Sequence, residues 1–297
     1  MTHSLRLTHL VVRVAVVALL AITAIGATAA LRAEAVVEQV PPGAARAMWV
    51  WDTSNPQAVV DLAVARGIGQ LYAAVPPNVG SSPQLAQLTQ LSTLARQKGL
   101  RIDALGGDPG WVDDPTWVVD NWLRPAIATH LFSGVHVDIE PYATPAWQTS
   151  RSTVVRKYLS TLDTLVKAAG TVPLEADIPF WLDEVPAGKS TLDREVMRRT
   201  KGVTVMAYRN TAAGPDGTIA LSAKAVEAGT ALGVPVRIGQ ETDDLGTDPV
   251  EVKQTFHGFT VAQMEVQLDQ VVAADSSSPS FAGLAIHSAA GYAAMTP

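Results

Sequence analysis

The sequence contains no cysteine, so disulfide bridges, thiol nucleophiles and cysteine–zinc centres are excluded. Charged residues make up only 17% of the chain and aromatic residues only 6%. The net charge is -6 and lysines and arginines form no cluster, which argues against a nucleic-acid partner or an anionic membrane surface. Hydrophobic residues account for 47% of the chain, which is sufficient material for a large core.

Several signatures of cofactor and nucleophile chemistry are also missing. The chain has no Gly-x-Ser-x-Gly elbow, no phosphate-binding glycine loop and no His-x-His or His-Glu-x-x-His spacing. His136 and His287 could join carboxylates around a divalent ion, but no ligand spacing supports such a site. We therefore predict no metal and no cofactor.

The N-terminal region has no acidic residue before Glu34. Arg6 and Arg13 precede an uncharged, largely apolar run over 14–31, with Ala-x-Ala steps at 27–29 and 33–35. This order is typical of an export signal, although a run of about eighteen residues is borderline for a membrane span. We predict a signal peptide over 1–35, with an uncleaved membrane anchor as the alternative, a linker over 36–46, and a secreted or extracytoplasmic protein.

After the linker, short β-like runs alternate with amphipathic helical segments. Eight such runs predict a single α/β domain over 47–297, a (β/α)8 TIM barrel. Few residues follow the eighth run, so the last helix is predicted to be reduced or missing, and a monomer is expected. The candidate strands are Ala47–Asp52, Gln70–Val75, Arg101–Gly106, Gly134–Glu140, Leu174–Trp181, Gly202–Tyr208, Val236–Glu241 and Gly283–His287.

The fourth candidate strand carries the most informative pattern. Strand side chains alternate between two faces, so one face is apolar and the other carries His136, Asp138 and Glu140. Pro141 cannot donate to a strand ladder, which predicts Glu140 at the C-terminal tip. Barrel enzymes have their active sites at that end. The structural alternative is an ion-pair network within the core.

Paired carboxylates at a barrel mouth can hydrolyse a glycosidic bond, because one protonates the leaving oxygen while the other attacks or activates water. Glu140 is the leading acid, with Asp138, Asp177 and Glu241 as candidate partners. Aromatic side chains that could stack on sugar rings follow several strand tips, whereas Trp117 and Trp122 lie on a predicted helix and are expected in the core. The predicted substrate-binding residues are Trp51, Asp52, Trp111, Tyr142, Trp147, Asp177, Trp181, Arg209 and His287.

The segment over 133–140 resembles the strand-four signature DGxDxDxE of family-18 glycoside hydrolases, the chitinases and their relatives. Gly134, Asp138 and Glu140 match it, whereas Ser133 and His136 stand where the signature has aspartates. Met206-Ala207-Tyr208 is similar to the family's Met-x-Tyr on strand six, although Arg209 follows where an aspartate is usual. The resemblance implies that Glu140 is the general acid and Tyr208 a hydrogen-bond partner. It also implies that Asp138 orients a substrate 2-acetamido group, which acts as internal nucleophile.

A second resemblance is to retaining glycosidases with an acid/base glutamate after strand four and a nucleophilic glutamate after strand seven. Glu140 and Glu241 occupy those two positions, which implies a covalent mechanism through Glu241. Both resemblances imply an exported glycoside hydrolase acting on a polysaccharide or a cell-wall or surface glycan. A non-catalytic carbohydrate-binding barrel, a chitinase-like lectin, is the alternative. The sequence leaves open the sugar, endo or exo cleavage, and an inverting mechanism.

Overall fold

The computed structural model describes residues 46–297, so the predicted signal segment and all but the last linker residue lie outside the described residues. Eight parallel strands close into a barrel in the order β1-β2-β3-β4-β5-β8-β9-β10, with β10 pairing to β1. This confirms the predicted (β/α)8 barrel. The strands are β1 (Arg46–Val50), β2 (Ile68–Ala74), β3 (Arg101–Gly106), β4 (Gly134–Val137), β5 (Leu174–Pro179), β8 (Val203–Met206), β9 (Val236–Glu241) and β10 (Phe281–His287). A separate antiparallel hairpin consists of β6 (Pro186–Ala187) and β7 (Ser190–Thr191).

The helices between the strands begin at caps that the sequence encodes. Asn55 accepts a hydrogen bond from the Ala58 amide, and Thr260 with Gln263 forms a capping box. Such caps satisfy amides that a helix leaves unpaired at its first turn. The helices are α1 (Pro56–Ala65), α2 (Leu85–Gln97), α3 (Pro115–Val118), α4 (Arg124–Ala128), α5 (Pro145–Ala169), α6 (Leu192–Met197), α7 (Thr218–Leu232), α8 (Pro249–Gln254), α9 (Val261–Asp275) and α10 (Ala289–Ala294). Over residues 46–297, no helix is long and apolar enough to cross a membrane.

The last helix, α10, is reduced to six residues, as predicted. It contacts both β10 and β1, the pair that closes the barrel. Its buried Tyr292 donates to Glu265 Oε1 at 3.2 Å, and Glu265 also binds Arg46 of β1 at 2.6 Å. A short helix is sufficient here because these partly buried contacts tie α10 and α9 to the first strand.

The outward faces of the strands pack on the helices in one large apolar core, whereas the inward face is partly polar, as predicted. Near the start of β3, Asp103 accepts hydrogen bonds from Gln70 Nε2 at 2.6 Å and Arg101 Nε at 3.0 Å. A small apolar group also fills the barrel interior: Ala47, Trp49, Tyr72, Leu105 and Ala285. The barrel interior therefore contains both charged and apolar side chains.

Strand β4 is shorter than predicted, because it ends at Val137 rather than at Glu140. The Asp138 amide still donates to the Gly106 carbonyl at 3.0 Å. Pro141 then begins a 3₁₀ turn over Pro141–Ala143, since proline has no N–H for a ladder. Glu140 thus lies in the loop just beyond β4, at the C-terminal mouth of the barrel.

Candidate active site

Glu140 lies half-buried at the barrel mouth and is held by a residue two positions further along the chain. The Tyr142 hydroxyl donates a short hydrogen bond to Glu140 Oε1. Burial and the Glu140 charge raise the pKa of Tyr142 above its ordinary value, so Tyr142 remains a phenol and a donor. Glu140 Oε2 is the oxygen that this contact leaves available.

Asp138 lies behind Glu140, and its Oδ1 atom is buried without a hydrogen-bond partner among the described residues. Burial, then repulsion from Asp177 and Glu140, raises the pKa of Asp138 well above its ordinary value. Both effects act against the charged form. The loop after β3 presses on the same backbone, because a Cβ at Gly107 would lie 1.8 Å from the Asp138 carbonyl oxygen. Glycine at 107 is therefore required for the loop to pack against the end of β4.

Asp138→Asn is expected to stabilise the fold at neutral pH, because a neutral amide replaces a buried carboxyl whose ionisation is opposed by burial and by Asp177 and Glu140. The folded-state pKa of Asp138 is raised. The wild type therefore loses stability as pH rises above the unfolded value of about 4, and the variant does not. Urea unfolding at pH 4 and pH 7 measures the difference. Asp177→Asn is the matched control and should destabilise, because both Asp177 oxygens have partners. An Asp138→Asn effect that is equal at both pH values contradicts the assignment.

Asp177, on β5, occupies the centre of the barrel below the mouth. Trp49 Nε1 donates to its Oδ2 at 3.0 Å, and His136 Nε2 is hydrogen-bonded to its Oδ1 at 2.7 Å. The His136 ring is fully buried and stacks on Tyr72 with centroids 3.7 Å apart. The imidazole that replaces a carboxylate in the β4 pattern thus pairs with Asp177 rather than with Asp138. Asp177 was predicted to bind substrate, and here its two oxygens bind protein donors.

Glu241, at the end of β9, is only 3% exposed, and its Oε1 has three hydrogen-bond partners. The backbone amides of Thr242 and Asp243 donate to Oε1 at 2.7 and 2.8 Å. His287 Nδ1 is hydrogen-bonded to the same Oε1 at 3.0 Å and lies 2.8 Å from Oε2. These contacts hold the carboxylate toward His287 and occupy its Oε1 atom.

One group of described residues offers several donor atoms suited to a metal. Ligand atoms of Glu241, Asp243 and His287 all lie within 4.8 Å of one another. However, Trp51 Nε1 donates to His287 Nε2 at 2.8 Å, so the ring proton lies on Nδ1, facing the carboxylates. The Nδ1 proton lies between the imidazole and the two carboxylates, where a cation would have to lie. The three side chains are therefore a poor fit to a metal ion.

Trp51 lines an open cleft of about 630 Å³ beside β1, β2 and β3, which we call the first cleft. Its indole is 44% exposed. Trp117, which was predicted to be a core residue, is 42% exposed and lines the same cleft, so that prediction is wrong. Its helix turns the ring outward, whereas the neighbouring Trp122 is buried. Trp111 also lines this cleft, and its predicted role in substrate binding stays a prediction.

A second cleft of about 390 Å³ adjoins Tyr142, and we call it the second cleft. Tyr142 and Trp181 pack edge to face, with centroids 5.0 Å apart. Trp147 lies behind them and is only 3% exposed. Arg151, which the sequence patterns missed, places its guanidinium 5.3 Å from the centre of the Trp147 ring. Because Tyr142 also binds Glu140, the second cleft is connected to the candidate acid.

Tyr208 is influenced by the charges of several carboxylates of the site. Burial raises the pKa of Tyr208 well above its ordinary value, and the charges of Glu241, Asp177 and Asp138 add to that shift. Its ring lies 6.2 Å from His287. Tyr208 is therefore placed among the carboxylates, and it stays a neutral phenol.

Two predicted binding residues use their polar groups within the protein. Arg209 is buried, and Nε and Nη2 donate to Asp216 Oδ1 at 3.0 and 2.8 Å. Hydrogen bonds from Arg209 and Lys253 lower the pKa of Asp216 to about 2. Asp52 is exposed and accepts from the Ser54 amide at 2.8 Å. Both residues have structural partners in loops at the mouth, so their substrate contacts stay predictions.

No protein-family model and no curated protein matches the sequence, but several solved structures share its fold. The spore cortex-lytic enzyme SleL of Bacillus megaterium has a TM-score of 0.54 and 12% identity, covering 84% of this chain and 71% of that chain. A plant class V chitinase mutant from Cycas revoluta in complex with (GlcNAc)3 has a TM-score of 0.50 and 12% identity, covering 84% and 96%.

A family GH18 chitinase from Cycas revoluta in complex with allosamidin has a TM-score of 0.50 and 13% identity, again covering 84% and 96%. Identity at this level carries information on the fold alone. The chain is thus a divergent (β/α)8 barrel with the fold of the family-18 glycoside hydrolases.

Proposed function

We propose that this protein is an exported glycoside hydrolase that cleaves a polysaccharide or a cell-wall or surface glycan with Glu140 as general acid. The observation that carries the proposal is the position of Glu140 at the C-terminal mouth, where Tyr142 holds one of its oxygens. Tyr142 also lines the second cleft. Glu140 can therefore present its other oxygen to a glycosidic bond while aromatic faces hold the sugar.

The second chemical role is supported best by the state of Asp138. Its raised pKa favours a protonated carboxyl that can donate to a substrate group rather than attack it. Both oxygens of Asp177 take part in hydrogen bonds, and Glu241 Oε1 takes part in three that hold the carboxylate against His287. This arrangement favours attack by a 2-acetamido oxygen of the substrate over a covalent intermediate on Glu241.

In that step, Glu140 transfers its proton to the leaving oxygen as the bond from the anomeric carbon to that oxygen breaks. The acetamido oxygen then forms the new bond to that carbon. Water subsequently opens the cyclic intermediate and returns a proton to Glu140. A substrate with N-acetyl groups is therefore the first to test.

A second candidate is a carbohydrate-binding barrel without catalysis. It is favoured by His136, which pairs with Asp177 where the family-18 signature places an aspartate. Reducing-end release from (GlcNAc)4, peptidoglycan and a set of neutral polysaccharides distinguishes the two. We expect cleavage of at least one of these glycans by the purified chain. Binding without cleavage across the whole panel would favour the lectin.

Export is proposed from residues 1–35, which lie outside the described part of the chain. We expect the mature protein to begin near Ala30 or Val36. Intact-mass measurement of protein recovered from the medium checks this. A membrane-bound product that retains Met1 would support an anchor instead.

A further inference from the structure

Three side chains from separate strand ends form a continuous chain of hydrogen bonds at the barrel mouth. Trp51 Nε1 donates to His287 Nε2 at 2.8 Å. An indole N–H can only donate, so Nε2 accepts and the ring proton lies on Nδ1. Nδ1 then donates to Glu241 Oε1 at 3.0 Å, and Oε2 lies 2.8 Å away. The indole, the imidazole and the carboxylate thus fix one another's orientation.

The carboxylate end of this chain is anchored in the backbone. Glu241 is buried, and the amides of Thr242 and Asp243 hold its Oε1. Asp243 adds a second carboxylate oxygen 3.4 Å from His287 Nδ1. Since these contacts all face the imidazole, the role of Glu241 that the geometry favours is to orient His287.

The indole end of this chain is exposed. Trp51 is 44% exposed and lines the first cleft, where a side chain with free rotation would lose conformational entropy on binding a ligand. The bond to His287 holds the indole edge and leaves its face accessible. An aromatic face held in this way can receive a sugar ring without a further ordering cost.

We propose that Glu241 and His287 are positioning residues that hold Trp51 as the sugar-stacking wall of the first cleft, and that a proton on His287 releases it. The role of the sugar rests on the proposed function. The hydrogen-bond chain and its response to pH do not.

The direction of the pH response follows from the imidazole. A protonated imidazole has two N–H donors and no acceptor, so it cannot receive the Trp51 N–H. The carboxylates facing His287 are Glu241, Asp243 and Asp177, and the rings are Trp49, Trp51 and Tyr208. Burial lowers the pKa of His287, but the Glu241 hydrogen bond and the three negative charges outweigh burial. The pKa of His287 is therefore raised above its ordinary value. Trp51 is therefore released as pH falls through this raised pKa.

The first experiment follows the Trp51 indole N–H by NMR in ¹⁵N-tryptophan-labelled protein without any ligand. The signal is assigned by its loss in Trp51→Phe. In the wild type, we expect slow solvent exchange at pH 8.5 and fast exchange with a shifted resonance at pH 5.5. The exposed Trp117 of the same cleft is the internal control and should show no such transition. A Trp51 signal that is independent of pH overturns the proposal.

Two substitutions at His287 separate its two ring nitrogens. In His287→Gln, the amide oxygen replaces the Nε2 acceptor without a titrating group, so the Trp51 bond should persist at both pH values. In His287→Asn, the amide nitrogen replaces Nδ1 and keeps the Glu241 contact, but the Trp51 acceptor is lost. We expect fast indole exchange at both pH values in this variant. Retention of slow exchange in a folded His287→Asn protein would show that His287 does not position Trp51.

The second experiment measures (GlcNAc)4 affinity by calorimetry at the same two pH values. His287→Asn and Trp51→Phe should each weaken binding roughly three- to tenfold at pH 8.5, the scale of one aromatic contact. The double variant should be no weaker than either single variant, because both remove one link. With a cleaved glycan, KM should rise more than kcat falls. If the double variant instead loses binding free energy equal to the sum of the two single losses, His287 does not act by positioning Trp51.

The two proposals fail in different ways. If the wild type binds no glycan while the Trp51 resonance changes with the protonation of His287, the hydrogen-bond chain is upheld and the glycoside hydrolase proposal fails. If glycan is bound and cleaved while the Trp51 resonance does not change with the protonation or substitution of His287, the glycoside hydrolase proposal is upheld and the hydrogen-bond chain is disproved.

Discussion

Glu140→Gln is expected to lower the rate of glycan cleavage by roughly a hundredfold or more, the usual scale of general acid catalysis. The amide keeps the size of the side chain and can still accept the Tyr142 hydrogen bond, but it has no proton to give to the leaving oxygen. Activated aryl glycosides need little protonation of their leaving group, so their cleavage should fall less than that of natural linkages. Initial rates on both substrate types measure the difference.

Glu184→Gln is the matched control for Glu140→Gln. Glu184 lines the second cleft, next to which Tyr142 holds Glu140, and is exposed. We expect the cleavage rate of the Glu184→Gln variant to remain within about threefold of the wild type, since changes at exposed positions usually have small effects. The two glutamates differ in their place relative to the barrel mouth rather than in chemistry. Full activity of Glu140→Gln on a natural glycan that the wild type cleaves would disprove the assignment of the acid.

Trp147→Ala is expected to destabilise the fold by about 3–5 kcal/mol, the usual cost of removing a buried tryptophan side chain. Trp147 is 3% exposed and packs against Tyr142 and Trp181, with centroids 6.4 and 6.1 Å away. The sequence predicted a sugar contact at this position. Its burial leads us to expect that its main role is to support Tyr142, which holds Glu140.

Trp181→Ala is the matched comparison, because Trp181 is only half-buried in the same aromatic group. We expect a smaller loss of stability and a larger loss of glycan affinity than for Trp147→Ala. Urea unfolding and calorimetric titration of both variants give the two quantities. Equal losses of stability, with affinity unchanged in both, would mean that both rings serve only the packing of the fold.

The barrel could be predicted from sequence because its determinants are local. A period of two in the strands, a period of about 3.6 in the helices and the caps at Asp114 and Thr260 act over a few residues. Both caps are formed in the structure, and the eight predicted strands are confirmed. The position of Glu140 at the C-terminal mouth follows from the same local signals, since Pro141 cannot extend a strand ladder and begins a 3₁₀ turn directly after Glu140.

What the tertiary structure alone decided are the partners of each side chain. His136 pairs with Asp177 from the next strand, and Trp51 pairs with His287, 236 positions away. Such contacts depend on barrel closure and on the register that sets Ala47 opposite Ala285, which no short pattern encodes. The sequence by itself determined the alternation of strands and helices along the chain and the residue types at the barrel mouth. Only closure decided that Glu241 faces His287, that Trp147 is buried and that Trp117 is exposed, because burial depends on what the neighbouring elements cover.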